Sequence, residues 1–270
     1  MGAPAGPAPS LDLTRIRAIT LDLDDTLWPI WPTIARAEAQ LQAWLAVHAP
    51  AAHGLAQQRD VVRRIRAEVQ AEHAGLAHDL SALRREAIRR TLVLAGEDPA
   101  LAGEAFEVFL AARQQVELFD DALPALERLG RRYPLVALTN GNADVRRVGL
   151  GRFFRAAVSA CEAGVAKPDA RIFQLGAGAA GVPAAQVLHV GDDALLDAQG
   201  ALDAGMQAVW LRRPAALAPP GQRPGAAHDG HRPGTGPVAQ GVGPAGVPPA
   251  EPACAVVPDL HALCRLLGLA

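Results

Sequence analysis

Six residues near the start of the chain, Asp22-Leu23-Asp24-Asp25-Thr26-Leu27, carry acids at a spacing suited to chemistry. They follow residues 16–21, an apolar and β-branched run that reads as a buried parallel strand. Beyond a strand's end the chain escapes strict alternation, so carboxylates two residues apart can face one crevice. Acids are almost never buried unpaired. These two either stay wet or meet a cation, and hard divalent ions take carboxylate and carbonyl oxygens. The alternative is an acidic turn in which Asp25 or Thr26 only caps the next segment.

A single lysine forms a second candidate. Of 26 basic residues, only Lys167 is lysine, in a chain that otherwise writes arginine. Either a compact, mobile ammonium is needed there, or one lysine survives a compositional bias by chance.

The elements that must position these candidates alternate between strand and helix after a long helical stretch. Residues 28–32, Trp-Pro-Ile-Trp-Pro, read as a Pro-broken segment outside any regular helix. From Thr33 the periodicity is helical for some 85 residues, with breaks at Pro50, at Ala74-Gly75 and between Gly96 and Pro99. Three to five helices are expected, their Arg and Glu residues forming solvated faces. An amphipathic helix follows over 121–133, a strand over 134–138, a helix over 145–154 and a short strand over 156–160. A helix opens near Pro168-Asp169. Then come a strand over 187–190, a helix over 194–204 stopped by Gly205, and a strand over 206–211. The stretch 213–252 is Pro/Gly/Ala-rich and aperiodic, expected to be a disordered insertion in which His228 and His231 are solvated. A final strand (254–257) and helix (259–267) close the chain.

Alternation of this kind predicts an α/β fold: a doubly wound, Rossmann-like parallel sheet with an inserted α-helical layer. Ligands then sit beyond the carboxyl ends of the strands. Three of those ends carry polar clusters: Asp22 to Asp25, Thr139-Asn140-Gly141-Asn142, and Gly191-Asp192-Asp193.

Composition excludes several classes. At net charge −2, without a basic stripe or charge block, nucleic acid has no electrostatic footprint. No apolar run approaches the roughly 20 residues that span a bilayer, and the first ten residues lack the pattern of a signal peptide. A cytoplasmic protein is expected. Cys161, Cys254 and Cys264 show no zinc-ligand or disulfide spacing. Oligomeric state is not legible.

Lys167-Pro168 makes a fourth polar cluster, between the second and third of these, and the four in order resemble the haloacid dehalogenase-like (HAD) hydrolases. Asp22-Leu23-Asp24-Asp25-Thr26 is similar to the D-x-D-x-T motif, Thr139 to the Ser/Thr motif, and Lys167-Pro168 to the lysine motif. Gly191-Asp192-Asp193 with Asp197 is similar to the acidic fourth motif. The likeness covers residues 16–211 and the final strand and helix. It implies a discontinuous core (11–29 plus 118–270) and a helical C1 cap (30–117). Residues 21–28, 134–142 and 188–193 further resemble a bacterial branch that dephosphorylates FMN and the ribitylaminouracil phosphate of riboflavin synthesis.

The resemblance implies Mg²⁺-dependent hydrolysis of a small phosphate ester through an aspartyl-phosphate. Asp22 would be the nucleophile and Asp24 the general acid and base. Asp22, the Asp24 carbonyl and Asp192 would hold Mg²⁺. The Thr139 hydroxyl, the Asn140 backbone N–H and Lys167 would bind phosphate oxygens. Asp197 and Asp193 would support Lys167 or a metal-bound water. One departure from the family pattern is Asp25, where glycine is frequent. Trp28 and Trp31 would either pack the hinge of the cap or stack a flat ring. Rival readings are a hydrolytic dehalogenase, which has no use for Asp24 or Mg²⁺, a phosphomutase, and a non-catalytic small-ligand-binding protein.

Overall fold

A computed structural model describes residues 11–214 and 251–269. Six parallel strands form one sheet in the order β3-β2-β1-β4-β5-β6. The strands are β1 (Ala18–Leu21), β2 (Leu135–Thr139), β3 (Ala156–Ser159), β4 (Val187–Gly191), β5 (Gln207–Leu211) and β6 (Ala255–Val257). This is a doubly wound order, with the crevice where it reverses at β1. β1 lies between β2 and β4, with Ile19 opposite both Leu135 and Leu188.

Because β1 is buried on both faces, its alternation sorts residues between two cores rather than between core and solvent. Ile19 and Leu21 join one apolar cluster, with Leu126 and Leu129 of α6 (Ala122–Arg132) and Leu260 and Leu263 of the C-terminal helix Leu260–Leu266. Ala18 joins the other, with Ile172, Phe173 and Ala177 of the helix Ala170–Ala180, and with Ala198 and Ala201. Helices therefore cover both sheet faces, as the α/β reading requires.

Between β1 and α6 stand five α-helices: α1 (Ile30–His48), α2 (Pro50–Ala56), α3 (Arg59–Glu72), α4 (Leu80–Leu94) and α5 (Ala102–Arg113). Leu41, Leu45, Ile88, Leu92, Phe106 and Phe109 give this layer an apolar centre of its own. Short 3₁₀ turns at Ala74–Leu76 and Pro99–Leu101 lie at two expected breaks. A further break, at Gln57-Gln58, carries no Gly or Pro to announce it.

Two local expectations are corrected. Trp31 and Pro32 lie inside the first turn of α1, where a proline removes only an N–H that has no intrahelical acceptor. Residues 145–154 are turns closed by a 3₁₀ segment, Gly151–Phe153, not a helix. Gly149, at φ +83°, breaks the run.

Residues 215–250 of the expected insertion, His228 and His231 among them, lie outside the described residues. Its first residue, Arg213, belongs to the folded core. It donates to the Thr26 carbonyl at 2.8 Å and to Asp121 Oδ1 at 3.0 Å, and its guanidinium lies 3.9 Å from the centre of the Phe119 ring.

Candidate active site

Asp22 immediately follows β1, and its N–H still donates to Val190 of β4 at 2.9 Å. Thr139 ends β2 and Gly191 ends β4. Adjacent strands therefore deliver three of the four clusters to one sheet edge. Lys167 arrives on the loop before the helix that Asp169 caps. Its ammonium lies 2.5 Å from Asp22 Oδ1 and 2.5 Å from Asp197 Oδ1, and all three groups are buried.

Two side chains hold Lys167 from either end. Asn140 Oδ1 accepts from the Lys167 backbone N–H at 2.7 Å, while its Nδ2 donates to the Lys167 carbonyl at 3.0 Å. Asp197 also accepts from the Asp193 backbone N–H at 3.0 Å and faces His189 Nε2 at 3.2 Å. His189 Nδ1 in turn meets the Thr20 hydroxyl at 2.8 Å.

Burial pushes the Asp22 carboxyl up to about 7, against the pull of Lys167; Asp197 and Asp24 add to the rise. Burial would raise Asp197 too, but Lys167 and His189 outweigh it and hold it well below the carboxylate range. Lys167 rises above its ordinary value because Asp197 and Asp22 outweigh its own burial. Burial lowers His189. Two buried acids beside one lysine are thus driven in opposite directions. The one facing the crevice is the harder to ionise.

Oxygens of Asp22, Asp192 and Asp197 lie within 4.8 Å of one another, an all-oxygen cluster with room for a metal ion. Within this cluster Lys167 engages both Asp22 and Asp197, and the Asp193 N–H donates to Asp197 as well. Trp210 Nε1 fixes the Asp192 carbonyl at 2.8 Å. Asp193 Oδ1 caps the turn after β4, accepting from the Leu195 and Leu196 N–H groups at 2.9 Å.

Asp24 is one-fifth exposed and turned toward the helical layer. Its Oδ1 accepts from Trp28 Nε1 at 2.7 Å and from Arg113 Nη2 at 2.6 Å, and its Oδ2 from the same Nη2 at 2.7 Å. The indole of Trp28 is buried and holds this acid, while Trp31 lines a cavity among the helices. Asp25 adopts φ +57°, a left-handed conformation that Asp tolerates better than most side chains. Its carboxylate accepts from the Ile30 N–H at 2.9 Å, so it also caps the opening of α1.

Arg113 lies outside the four motifs, at the end of a helix whose other residues are apolar or acidic. The signal lies in its spacing from Phe106 and Phe109, which puts it on the buried stripe of α5. Gln114, next in the chain, donates to the Asn142 carbonyl at 3.1 Å and accepts from the Asp144 N–H at 2.8 Å.

A family model described as haloacid dehalogenase-like hydrolase matches residues 16–205. The chain belongs to this family of hydrolases. Over 204 residues it is 35% identical to the 5-amino-6-(5-phospho-D-ribitylamino)uracil phosphatase YigB of Escherichia coli (strain K12), spanning 74% of this chain and 85% of that protein. A phosphoserine phosphatase of Thermus thermophilus is 35% identical over 136 residues, 48% of this chain and 55% of its own. Among solved structures, a 2-haloacid dehalogenase from Pseudomonas syringae pv. tomato DC3000 is similar at TM-score 0.74 and 36% identity. That match covers 94% of this chain and 98% of its own. Among the described residues, no helix is long and apolar enough to cross a membrane.

Proposed function

We propose that this hydrolase cleaves small phosphate monoesters with Mg²⁺ as cofactor, through an aspartyl-phosphate on Asp22. The observation that carries the reading is the second carboxylate. Asp24 is held in place by Arg113 and Trp28 beside Asp22, and a dehalogenase acting through one aspartate has no step for it.

The Asp22 carboxylate attacks phosphorus as the ester P–O bond breaks, and Asp24 gives its proton to the departing alkoxide. Asp24 then takes a proton from water, which attacks the same phosphorus and releases inorganic phosphate with Asp22 restored. Thr139, the Asn140 N–H and Lys167 bind the oxygens on which charge shifts. Asp22 and Asp192 fit the ion by donor type, and the Asp24 carbonyl would complete a set of hard oxygens. When bound, Mg²⁺ supplies charge that offsets the repulsion between phosphate and Asp22. Asp197 and the Asn140 side chain position Lys167, and Asp193 shapes the turn that carries Asp197.

In this reading the helical layer, residues 30–117, is a cap over a core of 11–29 and 118–270. A cavity of about 480 Å³ lies within it, walled by apolar side chains together with Glu38, Arg66 and Arg84, and bordered by Asn142 of the β2 loop. Space of that size, beside arginine donors, suits an ester whose leaving group bears a ring with acceptor atoms. FMN and the ribitylaminouracil phosphate are such esters. The similarity to YigB supports the second. Cytoplasmic location follows from that role.

The test is phosphate release from FMN, the ribitylaminouracil phosphate, sugar phosphates and p-nitrophenyl phosphate, with and without Mg²⁺. The 36% identity to the 2-haloacid dehalogenase of Pseudomonas syringae motivates one added substrate, a 2-chloro acid. Chloride release without phosphatase activity would overturn the reading.

A further inference from the structure

We infer that Arg113 is the positioning residue for Asp24, and that it assigns different work to the two carboxylate oxygens. The inference rests on the phosphatase reading above. Arg113 ends α5 and is 1% exposed. A guanidinium so deeply buried needs an anionic partner, and the partner present is Asp24, with Nη2 at 2.6 Å from Oδ1 and 2.7 Å from Oδ2. Among the described residues Arg113 Nη1 is buried with no hydrogen-bond partner. Asp24 is thus the group that holds this side chain, and the side chain holds Asp24.

The hold is lopsided. Oδ1 takes two donors, Arg113 Nη2 and Trp28 Nε1 at 2.7 Å. Oδ2 takes one. Beside Oδ2 lies Gly141, where a Cβ would stand 2.5 Å from Oδ2, 3.3 Å from Thr139 Oγ1 and 3.5 Å from Arg113 Nη2. Oδ2 therefore borders the same glycine as the Thr139 hydroxyl, a phosphate ligand in the proposed chemistry. Oδ1 is the anchor, and Oδ2 keeps the acceptor capacity to exchange a proton with the leaving oxygen and then with water. An acid fixed in this way loses no orientational freedom when the ester bond breaks.

A tie that served only to fasten the helices to the sheet would act alike on every substrate. A tie that aims Asp24 acts most where the departing oxygen needs a proton. Alkoxides need it more than aryl oxides, and kcat/KM reports the steps through departure of the leaving group.

The experiment compares kcat/KM for an alkyl phosphate and for p-nitrophenyl phosphate in the wild type, R113M, R113K and W28F. General acid help is worth about 10²–10⁴-fold, so R113M is expected to lower the alkyl value by about 10- to 100-fold and the aryl value much less. R113K should recover part of the alkyl-to-aryl ratio, and W28F should lower the ratio by a smaller factor. Equal losses on both esters, or no loss, overturn the inference. If R113M does not fold, as judged by its thermal melt, the W28F ratio decides, and an unchanged ratio overturns the inference. A wild-type enzyme inactive on both esters overturns the phosphatase reading instead, an outcome distinct from any change of ratio.

Discussion

Asp197 leans over Gly191 so closely that a Cβ on the glycine would stand 2.3 Å from the Asp197 Cγ. No side chain fits there. Gly191→Ala must displace the carboxylate that holds Lys167, at an overpacking cost of about 1–3 kcal/mol. The expected result is a folded protein with a lowered denaturation midpoint and a kcat reduced by about 10²-fold, the range typical for losing one charge-stabilising group. Steady-state kinetics and a urea titration check it.

Asp22→Asn should abolish turnover while leaving the protein folded. Its Mg²⁺ response gives a second readout. In the proposed chemistry the ion binds the folded wild type and not the unfolded chain, so Mg²⁺ at about 100 times its Kd should add about 2.7 kcal/mol of stability, and far less to the variant. Thermal melts with and without Mg²⁺ measure both. Undiminished turnover in the variant would remove Asp22 from its assigned role.

The helical layer should loosen in acid. Glu38 accepts from Arg84 and from Arg66, the latter at 2.8 Å. Burial alone would raise this carboxyl, yet the two guanidinium groups outweigh burial and hold it below its ordinary 4.5. A folded-state value below the unfolded one means that the stabilisation is fully present above about pH 4.5 and is lost as pH falls through the folded value. Glu38→Gln should flatten that limb of the stability profile, read from thermal melts between about pH 6 and about pH 3.

Ala87 lines the cavity among the helices. Ala87→Phe places a ring in that space, so KM for a flavin-sized ester should rise by about tenfold or more, by the usual worth of pocket contacts. KM for glycerol phosphate should change much less. Equal effects on both substrates would detach the cavity from substrate choice.

Most of the site was legible because each motif ends a strand or opens a helix, where local sequence and tertiary position coincide. Asp22, Thr139 and Gly191 meet as soon as β1 is placed between β2 and β4. The doublet Lys167-Pro168 marks a loop, and the cis peptide there adds nothing to its legibility. What escaped depends on contacts distant in the chain. Arg113 reaches Asp24 across 89 positions, and within its own helix only its place on the apolar stripe points to a buried role. The expected helix over 145–154 failed for a local reason, since apolar periodicity counts side chains and ignores the positive φ that Gly149 adopts. Pro32 misled in the opposite sense, because a helix tolerates proline in its first turn and forbids it later.

At the end of α5, two consecutive residues grip different loops of the candidate site, Arg113 the acidic one and Gln114 the one after β2. The helices and the chemistry consequently share a border that runs through a single peptide bond. A change of substrate preference made by exchanging the helical layer would carry with it the anchor of Asp24, the general acid of the proposed mechanism. On that mechanism, what is recognised and how fast it reacts are inherited together.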